Sequence, residues 1–269
     1  MILPSGLDAN GVLSPMLSIS AALAYAISAA GAQRLGEAGA RRALMTAGLL
    51  HFAAIAAGLM AEPHRFGFGP ALSVTAWLVL TVYTVERQVF PQLQARWALA
   101  GLGGVAVLIA MVFPGASLQT MASPWLPLHL VLGVASYGLF AAAAVHAWLM
   151  MRAETFIRAG TDANAGLPLL TLERLTFRFA GAGFVLLSAT LLAGLFFSET
   201  LYGRPLRFDH KTVFSVLAWI VFAFLLLGRM RFGLRGRNAV RVLYIGSILL
   251  LLAYVGSRFV LEVILRRPA

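Results

Sequence analysis

The chain has no cysteine in its 269 residues, so disulfides, CxxC redox chemistry and thiolate metal sites are all excluded. Charge is also scarce: 12% of residues are charged against 60% hydrophobic. A water-soluble domain of this length needs more charge than that to cover its surface. Lysine is nearly missing, because twenty of the 21 basic residues are arginine. A net charge of +11 would suggest nucleic acid in a soluble protein. Here most of the arginines fall in short loops between apolar runs, where they face the cytoplasm and the anionic leaflet. The expected partner is membrane lipid, not nucleic acid. No internal repeat and no long polar domain interrupts the pattern.

What the sequence does have is apolar runs of membrane-spanning length. Their spacing predicts an all-α, polytopic integral membrane helix bundle of eight spans, at about 12–32, 42–61, 70–86, 97–113, 126–151, 179–198, 211–228 and 241–262. The whole chain, residues 1–269, reads as one transmembrane domain. The odd-numbered loops hold fourteen arginines, in the segments from Arg34 to Arg42, Arg87 to Arg96, Arg152 to Arg178 and Arg229 to Arg241. The even loops and tails hold six basic residues: Arg65, Arg204, Arg207, Lys211, Arg266 and Arg267. That bias puts the odd loops in the cytoplasm and both termini outside. The first flank, "MILPSGLDAN", lacks a positive n-region, so the first span is expected to be retained. Arg152 to Arg178 is the longest polar stretch, and its "LPLLTLERLTFRF" reads either as a short interfacial helix or as an ordered loop. Glu86 and Arg87 read as a solvated boundary at the end of the third span. Gly133, Gly138, Gly181, Gly183 and Gly194 read as points of close helix approach.

Ionisable residues inside spans are where function is sought in such a protein. His51 falls near the middle of the second span, His129 opens the fifth, His146 follows in that helix, and His210 opens the seventh. Seventeen residues of helix rise about 25 Å, so His129 and His146 cannot share one small site. His146 therefore reads as an interfacial or core histidine. His129 and His210 both lie at outer helix ends, and His51 would sit deeper. Haem asks for one or two axial imidazoles, apolar walls and cations for its propionates. Trp125, Phe66, Phe68, Tyr202 and Phe208 offer walls, and Arg65, Arg204, Arg207 and Lys211 offer cations. A helix N-terminus biases the His210 imidazole toward its neutral, ligating form. Aromatics and arginines at an interface are equally the ordinary anchors of a membrane protein. Asp209, with Thr212 in the first turn, reads as the N-cap of the seventh span.

The segment "LQTMASPWLPLHLVLGVASYGLFAAAAVH" is similar to that of the cytochrome c assembly protein family, the CcsA-, CcmC- and HemX-like haem-handling membrane proteins. "GFVLLSATLLAGLFFSE", "FDHKTVFSVLAWIVFAFLLLGRMRFGLRGRNA" and "YIGSILLLLAYVGSRFV" follow in the family's order and spacing. The chain most resembles the family's short, YpjD-like inner-membrane branch. The resemblance implies a multi-pass protein of the bacterial inner membrane, with His129 at the family's external histidine position. It also implies haem b as cofactor and cytochrome c maturation components as partners. Two landmarks differ. The family's tryptophan-rich outer loop here reads "YGRPLRFDHKT", which keeps Asp209 and Lys211, has no tryptophan and puts His210 at a proline position. No second histidine follows the last span in "VLEVILRRPA".

The expected function is haem handling near the outer face. His129 would be the iron ligand with His210 or His51 as the second, Arg204, Arg207 and Lys211 would hold the propionates, and Trp125 would form a wall. No catalytic constellation is present, so no enzyme activity is expected. The alternative is an accessory or transport protein that keeps the fold without haem.

Overall fold

The computed structural model describes residues 9–31, 34, 36–61, 65–89, 96–117, 125–160, 168–198 and 209–265. Among the described residues, eight long helices follow one another. They are α1 (Ala9–Ala30), α2 (Gly36–Met60), α3 (Phe68–Val89), α4 (Arg96–Val112), α5 (Leu126–Arg158), α6 (Leu169–Phe196), α7 (His210–Phe232) and α8 (Gly236–Leu251). The last continues through π-helical stretches at Leu252–Gly256 and Val260–Ile264. Two short strands, β1 (Arg65–Phe66) and β2 (Ala116–Ser117), pair antiparallel.

Each expected span coincides with one helix. Among the described residues, seven helices are long and apolar enough to cross a membrane. The eighth, α4, has 17 residues and falls just short of that length. Many of their large apolar side chains face outward, among them Leu49, Leu170, Val185 and Met230. In water that surface would be prohibitive, whereas a lipid solvent covers it without penalty. Residues 1–8 and 266–269, on which the placement of the termini bears, lie outside the described residues.

One boundary differs from expectation. The stretch "LPLLTLERLTFRF" is neither a separate interfacial helix nor a loop: from Leu169 it forms the first turns of α6, which runs unbroken to Phe196. Helix α5 likewise continues to Arg158. Glu173 there is held by a partner that hydropathy does not register. Arg229 of α7 donates to Glu173 of α6 and lies over the Phe177 ring at 3.7 Å.

The chain divides into two compact units. The first holds Met1–Thr84, Ala95–Gln119 and Leu261–Ala269. In it α1 packs along α2 and α4 around Tyr25, His51 and Val107, all essentially without exposed surface. Trp77 on α3 ties to α2 by donating to the Gly48 carbonyl at 3.0 Å.

The second unit holds Val85–Gln94 and Thr120–Val260. Its centre is a stacked pair, Phe140 on α5 and Phe222 on α7, with ring centroids 3.7 Å apart and planes 9° from parallel. Two glycines make room for the pair. A Cβ on Gly183 would lie 3.2 Å from the Phe140 ring, and one on Gly246 would lie 2.7 Å from the Phe222 ring. Polar bonds cross the same helices: Trp219 donates to Ser188 at 2.8 Å, and Tyr137 donates to the Leu250 carbonyl at 2.7 Å. The Leu250 carbonyl sits just before the π-helical stretch, where the regular helical ladder is interrupted. Gly181, expected as a packing point, has open space where a side chain would stand.

Candidate functional site

The outer group expected from sequence is built from the first turns of α5 and α7, both in the second unit. Trp125 is the N-cap of α5 and is largely exposed. Its carbonyl accepts from the His129 backbone N–H at 3.1 Å, which sets the imidazole one turn into the helix. His129 is half-buried, and its ring lies over α6 where Gly194 supplies no side chain. A Cβ at Gly194 would come within 3.5 Å of His129 Cε1. The charge of Lys211, in the first turn of α7, acts on His129. Lys211 Nζ also lies 5.5 Å from the centre of the Tyr254 ring, and the Arg258 guanidinium lies 5.8 Å from the same ring. The two cations thus share one aromatic ring, a favourable contact for each.

Asp209 caps α7 as its position suggested. Its carboxylate accepts from the Thr212 backbone N–H at 2.9 Å and from the Thr212 hydroxyl at 3.0 Å. Partial burial pulls the Asp209 carboxyl upward. The two Thr212 bonds and the charges of Lys211 and His210 outweigh this, and hold it below the usual carboxylate range. His210 is exposed as the first residue of α7. Arg204, Arg207, Tyr202 and Phe208 lie outside the described residues.

The structure therefore brings His129, Lys211 and Asp209 to one end of the second unit, with His210 beside them in sequence. His51 belongs to the first unit. Both of its ring nitrogens are engaged: Nδ1 with the Tyr25 hydroxyl at 2.9 Å and Nε2 with the Ser73 hydroxyl at 2.8 Å. Tyr25 and Ser73 are partners that sequence reasoning missed. They are 26 and 22 residues away from His51, are uncharged, and carry no motif.

Of its two readings, interfacial or core, His146 takes the core one and is 4% exposed. Its Nδ1 faces the Ala142 carbonyl at 2.8 Å, and its Nε2 lies 2.8 Å from a Glu86 carboxylate oxygen. Glu86 is thus not a solvated boundary residue; its side chain is 11% exposed and is turned onto a buried imidazole. A carboxylate at a span end lowers the cost of burial by lying against a polar group, and here that group is an imidazole of α5. Among the described residues, no group of three or more His, Asp or Glu gathers in a way that would hold a metal ion.

Residues 38–265 match the family model described as cytochrome C assembly protein. An uncharacterized 28.8 kDa protein of Azospirillum brasilense is 38% identical over 146 residues, covering 52% of this chain and 53% of the relative. The inner membrane protein YpjD of Escherichia coli strain K12 is 35% identical over 147 residues, covering 53% and 54%. The cytochrome c biogenesis protein CcsA of Gloeobacter violaceus is 28% identical over 104 residues, covering 39% and 31%. In the first two the alignment spans about half the length of the relative. No solved structure matches the chain.

Proposed function

This chain belongs to the cytochrome c assembly protein family and is a multi-pass protein of the bacterial inner membrane, and from that premise we propose that it holds haem b at its outer end through His129. The finer topology is part of the proposal: eight spans, both termini outside, and the arginine-rich odd loops in the cytoplasm. The observation that carries the reading is His129 itself. It stands one turn into α5 over the bare backbone of Gly194, with a cation acting on it from the start of α7.

These residues fit the group. A haem needs an imidazole in a cleft, a cation for a carboxylate and an apolar or aromatic border. The His129 ring packs on the side-chain-free Gly194, Lys211 is the cation, and Trp125 is exposed apolar surface at the same helix end. In this reading His129 would hold the iron, with His210 as the second residue. Lys211, with Arg204 and Arg207 from the preceding segment, meets the propionates, and Trp125 borders the ring. His51 is left out of the ligand set because Tyr25 and Ser73 already hold both its nitrogens. Bound haem would supply a redox-active iron and a cargo for transfer. The protein's share is to bind, orient and release it, without covalent chemistry of its own, in company with cytochrome c maturation components.

The test is an absorption spectrum of the full chain purified from haem-replete cells. The wild type is expected to show a Soret band, and His129→Ala to lose most of it. A Soret band that persists in the His129→Ala, His210→Ala double variant overturns the ligand assignment. A colourless wild type overturns haem binding, and leaves an accessory protein that keeps the fold.

A further inference from the structure

A cavity of about 400 Å³ opens within the first unit, between the start of α1, the end of α2, the start of α3 and the end of α4. That volume is in the range of small-molecule sites, roughly 300–1,000 Å³. Its walls are mainly apolar, with Ile55, Val74, Val107 and Met111 among them. The polar lining is Ser14, Ser18, Ser73 and, on β1, Arg65.

What those polar groups can give is decided by their other bonds. Ser18 spends its hydroxyl proton on the Ser14 carbonyl at 2.9 Å. Ser73 does not behave like its neighbours on α3. Thr75, Thr81 and Thr84 each donate to the carbonyl four residues back. Ser73 instead ends a buried chain that runs from the Tyr25 hydroxyl through His51 Nδ1 and Nε2 to Ser73 Oγ. Tyr25 is 1% exposed, His51 0% and Ser73 3%, so no water relieves an unmet proton there.

One tautomer satisfies the chain. The Tyr25 hydroxyl donates to Nδ1, and Nε2–H donates to Ser73 Oγ. The opposite order would leave the phenolic proton buried without an acceptor. With its oxygen already accepting from His51, Ser73 has its proton left for the cavity it lines. Among the described lining groups, the Ser14 and Ser73 hydroxyls and the Arg65 guanidinium can donate into this space, amid apolar walls. The complement of these donors and an apolar wall is an acceptor-only anion on an apolar chain.

We propose that this cavity binds a long-chain carboxylate, its head held by Arg65 and Ser73 and its chain lying along the apolar walls. Tyr25 and His51 are positioning residues: they fix the Ser73 hydroxyl as a donor. The site uses residues of the first unit only, and stands whether or not haem binds at His129.

The experiment is a fluorescence titration of the full chain in lipid nanodiscs with dansylaminoundecanoic acid, and in parallel with its methyl ester. The acid is expected to bind saturably. The ester, which cannot pair with Arg65 as an anion, is expected to bind about tenfold more weakly, as are Ser73→Ala and Arg65→Gln with the acid. Met111→Trp, which fills the cavity, should abolish the saturable signal. Arg65 is exposed, so its variant tests the site without disturbing the core. Equal affinity for acid and ester overturns the proposal. So does wild-type binding by Arg65→Gln and Met111→Trp, or a signal that rises without saturating.

Discussion

Asp209 accepts two hydrogen bonds from Thr212 and so satisfies a backbone donor that the start of α7 would otherwise leave open. Asp209→Ala should lower stability by about 1 kcal/mol, the usual cost of losing an N-cap. Thermal melting of the purified protein reads this directly, and an unchanged melting temperature would show that the cap contributes nothing. The pH dependence has a definite sign. The folded carboxyl is held below its ordinary value, so its contribution is complete above the unfolded pKa and is lost as the pH falls through the lower folded value. The melting difference between wild type and Asp209→Ala should hold from neutral pH down to about 4 and shrink below it. This cap was legible because it is local: three residues separate Asp209 from Thr212. The partners of His51 and His146 were not legible in the same way. Tyr25, Ser73 and Glu86 reach their histidines only because other helices pack beside them, and no spacing rule connects them.

Among the helices of the second unit, α5, α7 and α8 meet through one ring stack and the glycine beneath it. Phe222 stacks on Phe140 and closely approaches the backbone at Gly246. Phe140 in turn lies close to the backbone at Gly183. Gly246→Ala should therefore destabilise the fold by about 1–3 kcal/mol, the range for overpacking a filled core. Adding Phe222→Leu should recover part of the loss, since the two positions are in contact. A Gly246→Ala variant that melts like wild type would mean the ring can shift after all. Gly183 was visible in the sequence as a candidate for close approach, and Gly246 was not. Which ring each one serves depended on how far one helix is rotated against the next. The start of α6 teaches the same lesson from the other side. Hydropathy ends a span at the first cluster of charges, whereas the helix continues for as long as its backbone bonds and side-chain partners allow.

At the scale of the whole molecule the absence of cysteine is useful. Single cysteines can be introduced without background and labelled in intact cells with a membrane-impermeant maleimide. Cysteine at His210 should react from the periplasmic side, and cysteine at Arg235 should react only after the membrane is opened. The reverse pattern would invert the proposed orientation. Composition by itself determined that this chain lives in a membrane, that it is helical, and about where each helix runs, because burying backbone in lipid leaves a helix as the way for a single segment to satisfy its own hydrogen bonds. Family membership was also readable, since the order of a few segments survives divergence. Only the tertiary structure decided that His51 closes a chain from Tyr25 to Ser73 at the edge of a cavity, that Glu86 turns inward to His146, and that Lys211 acts on His129. Each of these depends on which faces of distant helices meet, and in a chain whose helices are apolar nearly all round, periodicity does not say which face that will be.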